Sequence, residues 1–283
     1  VTVDDGYRDF AEIAFPIFRD HGIPVMFFVV TDFVDGAMWF WWDQIEYVLQ
    51  RAEARVWDVD LGDAGTALDL RSDRGRVQAW DRITDRGRLL PDEDKRRLVE
   101  SVAESLDVIV PDEPPPEYAP VAWADLEWMV EEGLLIGAHT KTHVILSRES
   151  KERASEEIHE SRAELERRVQ RPVTWFCYPQ GQAVDYNQTV RDIVEQGFRG
   201  CYVAYQTPPN PEDPMTLPRY GASPDLNDFR WSMCGAEHLA RRFRRFARSD
   251  TGTRHLHGMG DDESRATGRK PDTSSIERSG ETS

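Results

Sequence analysis

The chain has 283 residues, with 35 Lys+Arg against 52 Asp+Glu and a formal net charge of −17. With glycine counted in place of tyrosine about 43% of the residues are apolar, enough to bury the core of one large α/β domain or two ordinary ones. So negative a field repels phosphates and excludes non-specific binding to nucleic acid or anionic membrane, and no stretch approaches the ~18 uninterrupted apolar residues of a membrane span.

Only Lys95, Lys141, Lys151 and Lys270 are lysines; the other basic residues are arginines. An acid-rich, lysine-poor surface suits a protein kept soluble in high salt, and a GC-rich genome produces the same bias. Cys177, Cys201 and Cys234 are odd in number and lack metal-type spacing, which predicts buried thiols and no disulfide framework. Nothing at the amino end reads as a signal peptide, making the cytoplasm the default compartment. The chain nevertheless opens on Val1 already inside a strand, which implies missing residues upstream.

Residues 1–3 predict the stub of a strand. A helix follows, with Asp9 and Glu12 as a capping pair and Phe10, Ile13 and Ile17 on one face; Pro16 should bend it and Gly22 end it. The apolar run 25–30 predicts a strand buried on both faces. Residues 36 to about 120 differ in texture. Trp39, Trp41 and Trp42 open a helix whose Ile45, Val48, Leu49 and Ala52 keep helical spacing. Charged helices follow near 74–86 and 92–106, and the stretch closes at Pro114-Pro115-Pro116. This predicts a mainly helical insertion or lid. The tryptophans are either a hydrophobic seam that fixes it or a stacking surface for a ligand, the seam being favoured.

Alternation then resumes: helix 123–132 with Gly133 as its stop, strand 134–138, and a charged helix 149–170 with Ala154, Ile158, Leu165 and Val169 inward. Strand 173–178, helix 187–196, strand 198–204 and an extended piece at 217–220 complete the pattern. Strands alternating with helices predict a parallel α/β architecture, open sheet or barrel. The expected organisation is one domain over 1–246, with 36–120 inserted, and a disordered polar tail over 247–283.

Three clusters follow strands directly: Asp4-Asp5-Gly6, His139 with His143, and Tyr178-Pro179-Gln180-Gly181. In parallel α/β folds the carboxyl ends of the strands form one mouth, so two carboxylates, two imidazoles and a glycine-bearing loop share a rim. Two His and one Asp are three protein ligands, the number a catalytic zinc site uses, and the remaining Asp can take a proton from water. His139-Thr140-Lys141-Thr142-His143 is not the helical HExxH of a metalloprotease, because Thr140 replaces the Glu and a strand precedes it. His21, His159, His238, His255 and His257 read as surface or tail residues.

These motifs resemble the polysaccharide deacetylase family, which shares the nodulation-factor deacetylase homology domain. Its Thr-Phe-Asp-Asp-Gly stands here as Thr2-Val3-Asp4-Asp5-Gly6, and its His-Ser/Thr-x-x-His as His139 to His143. Gly22-Ile23-Pro24, Phe27-Phe28-Val29 and the Tyr178-Pro179-x-Gly181 loop also match, the likeness running from residue 1 to about 235 without most of 50–115. The resemblance implies a distorted (β/α) barrel of six to seven parallel strands. It further implies a divalent metal, most often zinc, and removal of acetyl groups from N-acetylated sugars of an oligo- or polysaccharide. Carried over, Asp4 is the general base, Asp5, His139 and His143 hold the metal, Thr142 braces the His loop, and a backbone N–H near Tyr178 and Pro179 meets the oxyanion.

Two departures stand out. Cys177 occupies the position of an Arg that orients the base in many members, and the Leu-x-His that protonates the leaving amine is missing. Arg219, on the strand 217–220, is the expected source of the absent positive charge, while the general acid stays unassigned. An O-acetyl esterase, which needs less help at its leaving group, and a catalytically inactive carbohydrate-binding relative remain as alternatives. The glycan, the oligomeric state and the true compartment are not encoded in any motif.

Overall fold

In chain order, strand β1 (Thr2–Val3) leads into a π-helical turn (Phe10–Ala14), helix α1 (Phe15–Asp20), strand β2 (Met26–Val29) and a short helix α2 (Thr31–Val34). Helix α3 (Trp41–Arg51), the antiparallel pair β3 (Val56–Val59) and β4 (Thr66–Asp69), helix α4 (Asp73–Gly87) and helix α5 (Asp92–Ser105) come next. Strict alternation then returns with α6 (Trp123–Glu131), β5 (Leu135–Ala138), α7 (Lys151–Val169), β6 (Trp175–Cys177), α8 (Gln188–Gly197) and β7 (Gly200–Tyr202). This computed structural model describes residues 1–53, 56–59, 66–205, 210, 212–223 and 225–233. Cys234, His238, His255, His257 and the expected tail 247–283 lie outside them. The chain divides into Val1–Gly221 and Ala222–Ser283, the latter described only at 222, 223 and 225–233, where helix α9 (Leu226–Met233) lies. No described helix is long and apolar enough to cross a membrane.

Five strands pair in parallel in the order β1-β2-β5-β6-β7 and curl as half a barrel, the (β/α) architecture the alternation predicts. The extended piece near 217–220 adds one parallel bridge, Leu217 to Tyr202. Among the described residues, five strands and that bridge therefore stand where six to seven strands were expected.

Register divides the core. Phe27 and Val29 of β2 share a face with Ile136, Ala138 and Phe176, and pack under Phe10, Leu126, Ile158, Leu165 and Val194 of the surrounding helices. The opposite face holds a smaller cluster inside the curl: Met26, Phe28 and Cys177, with Trp175 and Tyr202 against them. Gly137 pairs with Phe28 across β2 and β5, and a Cβ there would overlap the Phe28 ring. Each fully buried large apolar side chain contributes about 1.5–3 kcal/mol.

The first helix departs from expectation. Ile13 and Ile17 are 63% and 54% exposed, whereas Phe10, Ala11 and Phe15 are buried. The π-helical turn inserts a residue, so the face that meets the sheet no longer follows the 3.6-residue spacing of Phe10, Ile13 and Ile17. Pro16 sits in the first turn of α1, where the missing N–H costs least. Asp9 makes no capping bond, and Glu12 instead pairs with Arg8 at 3.3 Å.

Between β2 and β5 the inserted segment has its own core, built on Ile45, Leu49, Leu70, Ala79, Ile83, Val99 and Val102. Its helices are the expected ones. The β3–β4 ribbon is an addition that helical periodicity did not reveal.

Candidate active site

Side chains alternate across a strand, so parity fixes which residues reach the inside of the curl. Thr2 pairs with Met26, Gly137 with Phe28, and Cys177 with Tyr202, all on the inner face. One step of two beyond Thr2 is Asp4, and beyond Gly137 is His139. Leu217 bridges Tyr202, which puts Arg219 on the same inward parity. Four chemically active side chains thus meet inside the mouth because of where each strand stops.

Asp4 and Arg219 form a bidentate pair: Nη1 donates to Oδ1 at 2.7 Å and Nη2 to Oδ2 at 2.8 Å. Arg219 also reaches the carbonyl of Val203 at 3.4 Å and Thr2 Oγ1 at 3.5 Å, so it ties the last extended segment to the first strand across the open seam of the curl. Burial alone would raise the Asp4 carboxyl. His139, the Arg219 pairing and the Cys177 thiol, 3.8 Å from Oδ2, outweigh it, and Asp4 ends below the ordinary carboxylate value. Asp4 is therefore ionised and held in one plane. Arg219 thus brings a positive charge to Asp4, while Cys177 stands at the end of β6.

Asp5 escapes strand parity through a φ of +81°, which turns its carboxylate toward the two histidines. Oδ1 lies 3.5 Å from His139 Nε2 and 3.4 Å from His143 Nε2. Burial, then the charges of Asp4 and Asp43, push the Asp5 carboxyl up to about 8 against the pull of Arg219. Burial also lowers both imidazoles, His143 furthest, with His139 and Lys95 adding to the effect there. His139 Nδ1 sits 2.7 Å from the Cys177 carbonyl, which fixes the tautomer with the proton on Nδ1 and leaves the Nε2 lone pair facing Asp5. Two neutral imidazoles and a carboxylate whose charge lacks a balancing cation suit the donor chemistry of a divalent ion, and the three donor atoms fall within 4.8 Å of one another. Asp4, His139 and Cys177 cluster as closely. There, however, Arg219 occupies both Asp4 oxygens, and burial keeps the Cys177 thiol protonated.

The loop carrying the histidines is braced from α7. Glu157, fully buried, accepts from the backbone N–H groups of Lys141 and Thr142 at 2.8 Å each and from Thr142 Oγ1 at 2.6 Å, and pairs with Arg153 at 2.7 Å. Thr142 ties the loop to α7 by donating its hydroxyl to Glu157. Thr140 Oγ1 accepts from the His143 N–H at 3.0 Å, and both residues hold positive φ, +66° and +60°. A β-branched residue held there costs about 1–3 kcal/mol, which these bonds offset. Sequence reading missed Glu157 because it looked like one more charge on a charged helix. Its i, i+4 spacing with the inward Ser161 and Leu165 was the available signal.

Neither Tyr178 nor Pro179 has an N–H free to face the cavity. The Tyr178 N–H donates to the Tyr202 carbonyl at 3.3 Å, its ring is buried and stacks on Tyr186, and Pro179 carries no N–H. The next residue, Gln180, with φ +58°, lines the cavity that holds Asp4, Asp5 and the two histidines.

That cavity, about 270 Å³, is closed on its far side by Trp41, Trp42 and Trp80 of the inserted segment, with Thr84 and Arg88 beside them. The tryptophan motif therefore divides. Trp39 is buried and packs on Tyr47 and Tyr118, a seam. Trp42 stacks on Phe40 at 4.4 Å, sets its edge against His143 at 4.9 Å, and donates Nε1 to the Tyr7 hydroxyl at 3.2 Å. Tyr7 in turn donates to Asp43 Oδ2 at 2.7 Å, and burial raises that carboxyl to about 7. His21 and His159 are exposed, and Cys177 and Cys201 are buried free thiols.

Residues 99–199 match the sequence model of the family described as polysaccharide deacetylase, a span that contains the His loop and β6 and leaves Asp4 and Asp5 outside. No curated protein matches the sequence. Among solved structures, the chain is similar to the Streptococcus pyogenes deacetylase PplD in complex with acetate, at 14% identity and TM-score 0.47 over 80% of this chain and 64% of that one. It therefore spans just under two thirds of that relative. IcaB from Ammonifex degensii aligns at 17% identity and TM-score 0.49, over 82% of this chain and 70% of that one. The BpsB deacetylase domain from Bordetella bronchiseptica aligns at 14% identity and TM-score 0.45, over 77% and 68%.

Proposed function

We propose that this chain, whose residues 99–199 match the polysaccharide deacetylase family, is a metal-dependent hydrolase that removes acetyl groups from N-acetylated sugars of a glycan. The reading rests on one observation: Asp5, His139 and His143 present three donors beside a second carboxylate, Asp4, that is ionised and clamped by Arg219. Asp5, His139 and His143 would hold a divalent ion, with zinc the best match to two imidazoles and a carboxylate. When bound, such an ion polarises an acetyl carbonyl and lowers the pKa of water to about 7.

The protein's own groups supply the rest. Asp4 accepts the proton of the attacking water as its oxygen bonds to the acetyl carbon. Arg219 holds the carboxylate in plane and does not exchange protons. Gln180 replaces Tyr178 and Pro179 as the source of a backbone N–H for the developing oxyanion, because it is the residue of that loop that borders the cavity. As the C–N bond breaks, the proton on Asp4 passes to the departing nitrogen, for among the described residues the cavity holds no third imidazole. The tryptophan side limits water and orients the sugar.

That missing imidazole favours a second reading, O-acetyl esterase, since an alkoxide leaves with less protonation than an amine. The test is acetate release by the zinc-loaded chain from N-acetylated and O-acetylated oligosaccharides, with Asp4→Asn alongside. Faster release from the N-acetyl substrate, lost in the variant, supports the proposal. Release from the O-acetyl substrate alone replaces it with the esterase. No release from either by folded, zinc-loaded protein leaves an inactive carbohydrate-binding relative.

A further inference from the structure

The loop after β1 and the start of α3 are joined by a line of hydrogen bonds whose direction is fixed. An indole N–H can only donate. The Tyr7 hydroxyl oxygen therefore accepts from Trp42 Nε1 at 3.2 Å, and its own proton is committed to Asp43 Oδ2, 2.7 Å away. Asp43, buried in the first turn of α3, is the acceptor on which the line ends. Tyr7 is an anchored point. Next to it the Arg8 N–H donates to the Ala119 carbonyl at 3.0 Å and the Gly6 carbonyl accepts from the Val121 N–H at 2.8 Å. Its ring meets Phe33 edge to face, with centroids 5.2 Å apart.

Trp42 is the side chain that this line holds. It borders the catalytic cavity, stacks on Phe40 at 4.4 Å and sets its edge against His143 at 4.9 Å. Ring contacts tolerate a range of offsets. The bond from Nε1 to Tyr7 is directional, and it sets where along the cavity wall the indole stops. The backbone of Trp42 is fixed separately, its carbonyl accepting from Trp80 Nε1 at 3.0 Å. Removing the Tyr7 oxygen would take from the indole N–H and from the Asp43 carboxyl the partner each has now, and both groups would gain by turning away to find another. Although Tyr7 follows β1, its hydroxyl thus acts on the inserted side of the cavity.

We propose that Tyr7 and Asp43 are positioning residues that act through Trp42, holding its indole where it bounds the catalytic cavity. This rests on the deacetylase reading and names what fixes the inserted side of that site. The test compares the full zinc-loaded chain with Tyr7→Phe, Asp43→Leu and Asp43→Asn. Acetate release is measured on β-1,4- and β-1,6-linked N-acetylglucosamine tetramers, and hydrogen exchange of the Trp42 indole N–H by nuclear magnetic resonance. Tyr7→Phe and Asp43→Leu should raise KM about threefold to tenfold, the range one hydrogen bond commands, and speed the exchange about tenfold, with kcat and zinc content held. Asp43→Asn should match the parent in both, because its side-chain carbonyl still accepts from Tyr7. Tyr7→Phe removes a single oxygen, so it decides the matter even if Asp43→Leu fails to fold. Unchanged KM in Tyr7→Phe, a fall in kcat or zinc in place of the rise in KM, or an Asp43→Asn that behaves as Asp43→Leu does, overturns the proposal and leaves the deacetylase reading standing. Zinc-loaded parent that releases acetate from neither tetramer overturns both.

Discussion

The strand ends and the inserted helices face each other across one cavity, yet their side chains are set by different rules. On the sheet side, parity and strand length place Asp4, His139, Cys177 and Arg219, and these side chains converge because three strands and the bridged extended segment end near one another. On the inserted side, Trp41, Trp42 and Trp80 reach the same space through helix packing, and their positions depend on contacts made far along the chain. On the deacetylase reading, the first arrangement would set the chemistry and the second the substrate on which it acts. Changes on the sheet side should therefore act on turnover or metal, and changes in the insertion on substrate binding.

The sharpest way to break that division is Asp4→Asn, which keeps the shape and removes the proton acceptor. It should lower kcat by about 10²–10⁴ with zinc content retained. A matching loss of zinc would show instead that Asp4 belongs to the metal. Arg219→Ala comes next, with an expected fall in kcat of about 10² and little change in KM, read by steady-state kinetics. Unchanged turnover would mean that the bidentate pair only closes the seam of the curl.

Glu157→Gln removes the charge that gathers two backbone N–H groups and the Thr142 hydroxyl, and should weaken zinc affinity by about 10–100-fold in a competition titration. A drop in melting temperature with the same zinc affinity would reduce Glu157 to a structural role. The smallest effect belongs to the insertion. Gly87 has Trp41 packed where a Cβ would stand, so Gly87→Ala should displace that wall and raise KM about threefold, with kcat and zinc held.

Legibility in the sequence followed the same divide. Asp4, Asp5, His139 and His143 could be singled out because the metal and proton chemistry they would serve calls for particular residue types directly after strands. Arg219 could be placed because residues 217–220 read as the last extended segment at the same rim, a segment the structure bridges to Tyr202 through Leu217. The Tyr178 N–H could not be read as engaged, because β6 and β7 extend their ladder through it, and hydrogen bonding that far along a strand leaves no trace in composition. Glu157 was hidden by its charge, and the π-helical turn by a spacing that looked regular. Trp80 was not singled out at all. A lone tryptophan on a charged helix acquires meaning only when α3 and α4 pack side by side.

The central claim is that Asp5, His139 and His143 form a metal site beside an Arg-clamped base. Bound zinc per chain, measured on the folded protein and on His143→Ala after dialysis against trace metal, tests it most directly. Near one zinc in the protein and almost none in the variant is the expected result. No zinc in the folded parent, or equal zinc in both, would contradict it.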